Sequence, residues 1–427
     1  MARPDVREDD GDDDRPHGAV DLRAVEGHAR PQYPEGVDDD PATSVPRCPD
    51  RPRTGLPLWA RLAALITVGK LLTVDLAKIR RAGATEREER TRMICRRFLS
   101  EDKEAVLSLL VEAFDGWHGD KNEAYWAWKF ERNPHGSARI YVCDDDGQIA
   151  GCYMLMPMVI RVGEATTLGV QAVDAAVSRD YRGRGVFTHL AQMGLKEAVD
   201  DGVGMIFAFP SKGAFGGQVK AGFKPKMVIP KAYRPLPWPP RHKHYRGFTL
   251  RDVDTFDSGF GALDRAASHR EIRVERDDDF LRWRYCQHPT KSYKTVTCER
   301  DGEICGYLVL TLFDTGGRGT VGYIVDLQTL PGCRPAATLL VNDALRRLWS
   351  LGARVAMSWE RPSGDEQEAL KSAGFSSKYG QIRRLVTRPD YVDQLIAFDA
   401  ANSASGEHVA GGNSVPWSLV PGDADYS

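Results

Sequence analysis

The sequence lacks the features that mark several common classes of protein. Its 427 residues include eight cysteines but no Cys-x-x-Cys pair, so we predict reduced thiols in apolar strands rather than a disulfide framework or a zinc site. No basic segment followed by an apolar run appears near the N-terminus, so no secretory signal is predicted. The 58 Lys and Arg residues nearly balance the 60 Asp and Glu residues, which gives no general case for nucleic-acid binding. These absences favour a cytoplasmic protein without a metal or a nucleic-acid partner.

The N-terminal region divides into two parts of different composition. Residues 1–54 are rich in Asp, Arg, Pro and Gly and poor in aliphatic side chains, so they are predicted to be disordered. Residues 55–90 contain an amphipathic segment, Leu56–Ile79, whose apolar residues recur at helical spacing. Arg61 and Lys70 interrupt it, which argues against a membrane-spanning helix. We predict that this helix packs on the folded body; the alternative is a basic helix in weak peripheral contact with the inner membrane surface.

Residues 177–190 carry the strongest local signal. A strand-like segment, Leu168–Val177, is followed by Arg182-Gly183-Arg184-Gly185 and then by an amphipathic helix that begins near Val186. Glycines allow a left-handed backbone, and successive N–H groups at a helix N-terminus bind anions, to which the arginines add charge. The spacing matches neither a Walker-type loop nor the Gly-x-Gly-x-x-Gly of dinucleotide sites. The pattern therefore predicts a phosphate-binding loop of another kind.

This loop resembles the acyl-CoA signature of the GNAT (GCN5-related N-acetyltransferase) superfamily, Arg/Gln-x-x-Gly-x-Gly/Ala. Arg182 and Gly185 fill the first two fixed positions, whereas Phe187 departs from the third. The order of predicted strands and helices between residues 91 and 234 is also the GNAT order. The resemblance implies an α/β (α+β) fold and acetyl-CoA as the acyl donor. The residues that it assigns to acyl-CoA are Ala175, Ala176, Val177, Arg182, Gly183, Arg184, Gly185, Val186, Phe187 and Thr188.

An internal repeat predicts a second unit of the same kind. Trp128–Pro134 returns as Trp283–Pro289, and Asp146–Gly151 returns as Asp301–Gly306, both at an offset of 155 residues. We therefore predict two tandem GNAT-like mixed-sheet units. Their ranges are 91–234 and 247–390, with a proline-rich linker at 235–246 and a C-terminal tail at 391–427.

The two units are not equivalent in the sequence. Opposite the glycine loop, the second unit has Leu330–Ala336, in which prolines remove N–H donors and one glycine remains. Only the first unit is therefore predicted to bind acyl-CoA. The second unit is predicted to be structural or to bind the acceptor.

Transfer of an acyl group from a thioester to an amine needs a positioned carbonyl, a neutral amine and a proton for the leaving thiolate. The resemblance implies that an N–H near Ala176–Val177 polarises the carbonyl. Asp174 is the predicted base, because it is the only acid on its strand and partial desolvation favours its taking up a proton. The alternative is a structural Asp that bonds a neighbouring loop or the second unit. Gln218 stands where the family commonly has a tyrosine general acid, so protonation by water and an unaided thiolate both stay open.

An aromatic cluster lies around the first two predicted helices. Trp117, His118 and Trp126 are predicted to contact the acceptor, because an aromatic wall suits a sugar or an amphipathic amine. The alternative is that the tryptophans are core residues. We predict a small-molecule amine acceptor, such as an amino sugar.

Two other functions compete with an N-acetyltransferase. A Fem-like aminoacyl transferase also pairs GNAT units, but it uses aminoacyl-tRNA and has no use for a pyrophosphate loop. A non-catalytic acyl-CoA sensor would bind the ligand without turnover, and the missing tyrosine keeps that hypothesis open. The tail segment Trp417–Asp425 is predicted either to dock on the body, bringing carboxylates towards the groove between the units, or to be disordered.

Overall fold

A computed structural model describes residues 93–114, 122–229, 231–267, 271–314, 319–379, 394–398 and 417–423. Up to residue 235 the strands are β1 (Ile94–Arg97), β2 (Arg139–Asp145), β3 (Gln148–Val162), β4 (Ala165–Val177), β5 (Met205–Ala208), β6 (Lys224–Val228) and β7 (Lys231–Pro235). The helices of this part are α1 (Lys103–Ala113), α2 (Glu123–Trp126), α3 (Val186–Asp200) and α4 (Lys212–Ala221).

The strands of the later part are β8 (Phe248–Val253), β9 (Ile272–Val274), β10 (Lys294–Arg300), β11 (Glu303–Asp314), β12 (Thr320–Thr329), β13 (Val355–Trp359) and β14 (Gln394–Phe398). Its helices are α5 (Ser258–Ala266), α6 (Asp278–Leu281), α7 (Arg334–Ser350) and α8 (Asp365–Ser372). The fold is mixed α/β with two mixed sheets, as predicted.

The first sheet has the strand order β1-β2-β3-β4-β5-β14-β6, and β9 pairs with β3 beside this path. Its neighbours run antiparallel except β4 and β5, which are parallel. Parallel neighbours need a crossover connection, and α3 provides it. The apolar side of α3 is buried against the sheet, with Leu190 and Leu195 at its centre. This packing fixes the N-terminus of α3 beside the carboxyl end of β4.

The second sheet has the order β7-β13-β12-β11-β10-β8, and its parallel pair, β12 and β13, is connected through α7. The two sheets exchange strands. β7 lies within the range predicted for the first unit, yet it pairs with β13. β9 lies within the range predicted for the second unit, yet it pairs with β3, and β14 from the predicted tail pairs with β5 and β6. The hydrogen-bonded sheets therefore do not separate at residues 234 and 247.

The internal repeat forms a reciprocal contact between the two halves. The indole N–H of Trp128 donates to the main-chain oxygen of Trp283 at 2.8 Å, and Trp283 donates to Trp128 at the same distance. The two rings stack with centroids 4.7 Å apart and are buried. Each lies on a π-helical turn, Ala127–Glu131 or Arg282–Cys286. Equivalent residues thus meet as they would across a two-fold axis, which gives Trp128 a packing role.

The structure corrects the prediction that every cysteine is a reduced thiol. Cys95 on β1 lies directly opposite Cys143 on β2, and the two are joined in a disulfide. The remaining cysteines of the described ranges are free, and Cys152, Cys298 and Cys305 are buried in β3, β10 and β11. The prediction was wrong for this pair because sequence spacing does not reveal which strands become neighbours.

The described part of the C-terminal tail docks on the folded body. Trp417 forms a bridge with Ile272, and Ser418 N–H donates to the Ile272 oxygen at 2.9 Å. Asp423 is buried and accepts a 2.6 Å hydrogen bond from Arg276. Docking is thus confirmed for residues 417–423, whereas Asp425 and the predicted helix Leu56–Ile79 lie outside the described residues.

Within the described ranges, no helix combines the length and the apolar character needed to cross a membrane.

Candidate active site

The first sheet opens where β4 extends beyond the last residue that pairs with its parallel neighbour, β5. β4 pairs with β5 from Gly169 to Ala172, and β5 ends at Ala208. The Ser178 N–H donates to the Ala150 oxygen of β3. Successive N–H groups of a strand point to opposite sides, so the Val177 N–H points away from β3 and towards the opening. Backbone groups at such an opening can pair with an extended ligand.

A β-bulge distorts β4 at the edge of this opening. Cys152 pairs with Ala176 and Met154 with Val173, so the two residues Asp174 and Ala175 stand opposite Tyr153 alone. Asp174 has φ of +42°, in the left-handed region that non-glycine residues avoid. The other non-glycine residues with positive φ in the described ranges are in Asp-Gly turns, whereas Asp174 is inside a strand. Such a conformation costs about 1–3 kcal/mol and persists only where surrounding contacts impose it.

A buried lysine provides one of those contacts. Lys129, on the π-helical turn that follows α2, donates from Nζ to Asp174 Oδ2 in a short ion pair. The side chains are 0% and 7% exposed. Nζ also lies over the rings of Tyr125 and Phe130, at 5.6 and 5.2 Å from their centroids. The predicted base therefore forms a buried ion pair with Lys129. This partner was not predicted from the sequence.

The glycine loop has the predicted backbone geometry. Gly183 and Gly185 have φ of +76° and +85°, and Gly185 is the N-cap of α3 without a side-chain cap. The first N–H groups of α3 therefore keep donor capacity for a ligand. Arg182 and Arg184 are exposed, and Arg182 Nε is 3.2 Å from the Val177 oxygen that it donates to. The loop thus lies against the open end of β4.

Tyr181 holds this loop on the sheet. Its hydroxyl donates to Asp145 at 2.8 Å, and that hydrogen bond raises the pKa of Tyr181. The guanidinium of Arg184 lies 5.1 Å from the centre of the Tyr181 ring. Val186 is buried beneath the loop, and Thr188 is half-buried one position after Phe187.

Phe187, which departs from the family motif, has a packing role. Its ring lies against Gly217 on α4, where a Cβ would come within 2.4 Å of it. It also meets Tyr153 edge-on at 5.8 Å. The missing side chain at Gly217 therefore leaves room on α4 for the Phe187 ring of α3.

Gln218, which stands at the position of the tyrosine general acid, forms an internal hydrogen bond. Gln218 on α4 is buried, and its Oε1 accepts from the Tyr153 hydroxyl at 3.0 Å. Burial raises the pKa of Tyr153 well above its usual value, so the hydroxyl stays protonated and acts as a donor. The sequence analysis missed Tyr153, because its place opposite the bulge appears only with the strand register.

The remaining candidates fall in different places. Trp126 is buried, and its indole N–H donates to Glu131 at 2.8 Å; its role in substrate binding stays a prediction. Trp117 and His118 lie outside the described residues. Ser211 caps α4 by accepting from Ala214 N–H at 3.3 Å, as expected for an N-cap serine.

Comparison with known proteins agrees with this geometry. Residues 95–223 match the family model described as an acetyltransferase (GNAT) domain. The solved GCN5-related N-acetyltransferase from Anabaena variabilis ATCC 29413 aligns at 15% identity with a TM-score of 0.53, over 73% of this chain and 74% of that chain. A probable N-acyltransferase from Enterococcus faecalis V583 aligns at 14% identity with a TM-score of 0.52, over 73% of each chain. These structural likenesses show the fold. No curated protein matches the sequence.

Proposed function

We propose, from the premise that residues 95–223 form a GNAT domain, that this protein is an acyl-CoA-dependent N-acyltransferase. Its donor is acetyl-CoA, and its acceptor is the amine of a small metabolite or an amino sugar. The observation that carries the proposal is the juxtaposition of three features: the open end of β4, the bulge at Asp174, and the glycine loop at the N-terminus of α3.

Each feature supplies one requirement of the reaction. The loop N–H groups, with Arg182 and Arg184, bind the pyrophosphate of coenzyme A. The main chain of residues 175–177 pairs with the pantetheine arm, and the Val177 N–H is available to polarise the thioester carbonyl. The acceptor nitrogen attacks that carbonyl carbon, the C–S bond breaks, and coenzyme A leaves as a thiolate. Asp174 accepts the proton that the amine loses.

The ion pair with Lys129 fits this role for Asp174. Lys129 fixes one carboxylate oxygen, Oδ2, so the carboxylate keeps one orientation in the strained bulge. A positioned base contributes more than a mobile one, because the orientation is set before the reaction. Lys129 therefore acts as a positioning residue in the proposed reaction.

Acetyl-CoA binding tests the proposal, with two glycines as a matched pair. Gly185 and Gly202 have similar left-handed φ values of +85° and +77°, and a Cβ at either would meet nothing within 4 Å. Valine at either position should therefore cost similar stability. Calorimetry should show that Gly185→Val weakens acetyl-CoA binding at least tenfold, whereas Gly202→Val leaves it unchanged. Equal affinities for the two variants would contradict the assigned loop.

An acyl-CoA sensor is the second candidate, and Gln218 favours it, because this residue replaces the tyrosine general acid and is buried in a hydrogen bond with Tyr153. The two functions differ in turnover. Thermal stabilisation by acetyl-CoA together with acetylated product from an amine panel supports the enzyme. Stabilisation without product from any amine supports the sensor.

A further inference from the structure

The second unit contains a cavity of about 440 Å³ between the carboxyl ends of β12 and β13. Gln328 and Thr329 line it from β12, and Arg361 and Asp365 line it from the segment after β13. Ser418 of the docked tail closes one side. The volume is within the range of small-molecule sites.

The repeat shows what this cavity corresponds to. Ala221-Gly222-Phe223 returns as Ala373-Gly374-Phe375 at an offset of 152 residues. With that offset, Thr329 is the counterpart of Val177, and both lie at the end of the strand that precedes the crossover helix. The cavity is therefore the second unit's counterpart of the acyl-CoA opening in the first.

The counterpart has lost the means to bind coenzyme A. Glu366 on α8 accepts hydrogen bonds from the Thr329 N–H and Oγ1, both at 2.9 Å. The strand N–H that faces the opening at Val177 is thus occupied by the chain itself at Thr329. The polyanionic coenzyme would also meet the carboxylates that line this wall. A ligand of this cavity would therefore differ in charge from coenzyme A.

The charges of the cavity define that ligand. Its arginines are paired within the protein: Arg273 with Asp264, Arg276 with Asp326 and Asp423, and Arg361 with the Leu327 oxygen and, at 4.0 Å, Glu366. Glu271 and Asp365 also line the cavity, and neither has an ion-pair or hydrogen-bond partner among the described residues. Glu368, another lining carboxylate, pairs with Lys371, so the unpaired charge that the described residues present to the cavity is negative.

We propose that this cavity binds a small organic cation that carries ammonium groups. The proposal does not depend on the reaction assigned to the first unit, because it rests on the cavity, on Glu366 and on the two unpartnered carboxylates. Two kinds of molecule carry such ammonium groups: the acceptor substrate, at a distance from its reacting amine, and a separate amine effector.

Calorimetry on the full chain with three four-carbon probes tests the proposal. The cation 1,4-diaminobutane should bind, whereas neutral 1,4-butanediol and anionic succinate should not. Glu271→Gln and Asp365→Asn should each weaken diamine binding about tenfold, the scale of a charged hydrogen bond. Glu303→Gln, which removes an exposed carboxylate of β11 in the same unit, is the matched control and should change nothing. If Asp365→Asn fails to fold, Glu271→Gln alone decides.

Kinetics with the amine substrate separates the two sources. A raised KM with unchanged kcat in the Glu271 and Asp365 variants identifies the cation as part of the acceptor. Lost diamine binding with an unchanged KM identifies a separate effector, and both results support the site. The proposal is overturned if the diamine does not bind the natural chain, if succinate binds instead, or if the double variant binds the diamine equally well.

Discussion

Removing one member of the buried Lys129–Asp174 pair should destabilise the protein strongly. Both side chains are almost inaccessible, so Lys129→Met would leave a carboxylate without its ammonium partner in the interior. Breaking a buried ion pair in this way costs about 3–5 kcal/mol, because the remaining charge is desolvated and uncompensated. Asp174→Asn should cost a similar amount, reduced by whatever strain the asparagine relieves at φ of +42°.

A double-mutant cycle measures the interaction itself. We expect Lys129→Met with Asp174→Asn to destabilise the protein less than the sum of the single changes, by about 2 kcal/mol or more, because the double variant buries no charge. Chemical denaturation at pH 7 gives the free energies of unfolding. The exposed pair Lys196–Asp200, joined over one helical turn at 2.5 Å, is the control, and its coupling should be close to zero.

Two results would refute this reasoning. A Lys129→Met variant within about 0.5 kcal/mol of the natural chain would mean that the ammonium is not buried against the carboxylate, since that is the range of ordinary surface changes. A coupling as small as that of Lys196–Asp200 would mean that the two groups do not form an ion pair.

Three further predictions concern turnover, the number of acetyl-CoA sites and stability in acid. Asp174→Asn should lower turnover per folded molecule by about two orders of magnitude or more, while acetyl-CoA affinity measured by calorimetry barely changes. Calorimetry should give one acetyl-CoA site per chain, because Glu366 occupies the Thr329 N–H; two sites of similar affinity would contradict this. The paired hydrogen bonds from Arg96 lower the pKa of Asp102 from its usual 3.8, so this carboxylate stabilises the fold above that value and loses its contribution as the pH falls through the lowered pKa. Asp102→Asn should therefore cost about 1–3 kcal/mol at pH 7, and denaturation at pH below 3.8 should show a shrinking difference.

The sequence predicted the elements of the first unit closely. The helix predicted to begin near Val186 begins at that residue in the structure, because its apolar spacing is regular and a glycine precedes it. The strand predicted at Leu168–Val177 ends at the predicted residue and begins three residues earlier, at Ala165. The backbone geometry of the glycine loop was predicted for the same reason, because glycine and helix-start signals encode it locally.

The contacts of the site could not be predicted in this way. Lys129 and Asp174 are 45 residues apart, and a lysine followed by an aromatic residue has no pattern that marks it as buried. The same limit applies to Tyr153, which reaches Gln218 only through the register of β3, and to the disulfide between Cys95 and Cys143. Each is a long-range pairing that depends on strand order, and strand order is not encoded in local periodicity.

Strand exchange changes what the repeat means for this protein. Sequence repeats ordinarily imply units that each close their own sheet, and the proline-rich segment at 235–246 has the composition of a linker. Here β14 covers the edge of β5 in the first sheet, and β7 forms the edge of the second beside β13. The reciprocal Trp128–Trp283 contact is buried in one apolar cluster that includes residues of both sheets. An isolated first unit would therefore expose an unpaired edge at β5, and the Trp128 indole N–H would lose its acceptor, the main-chain oxygen of Trp283. The opening that we propose to bind acyl-CoA borders β5, so the second unit and the tail contribute to the shape of this opening through the strands that they supply.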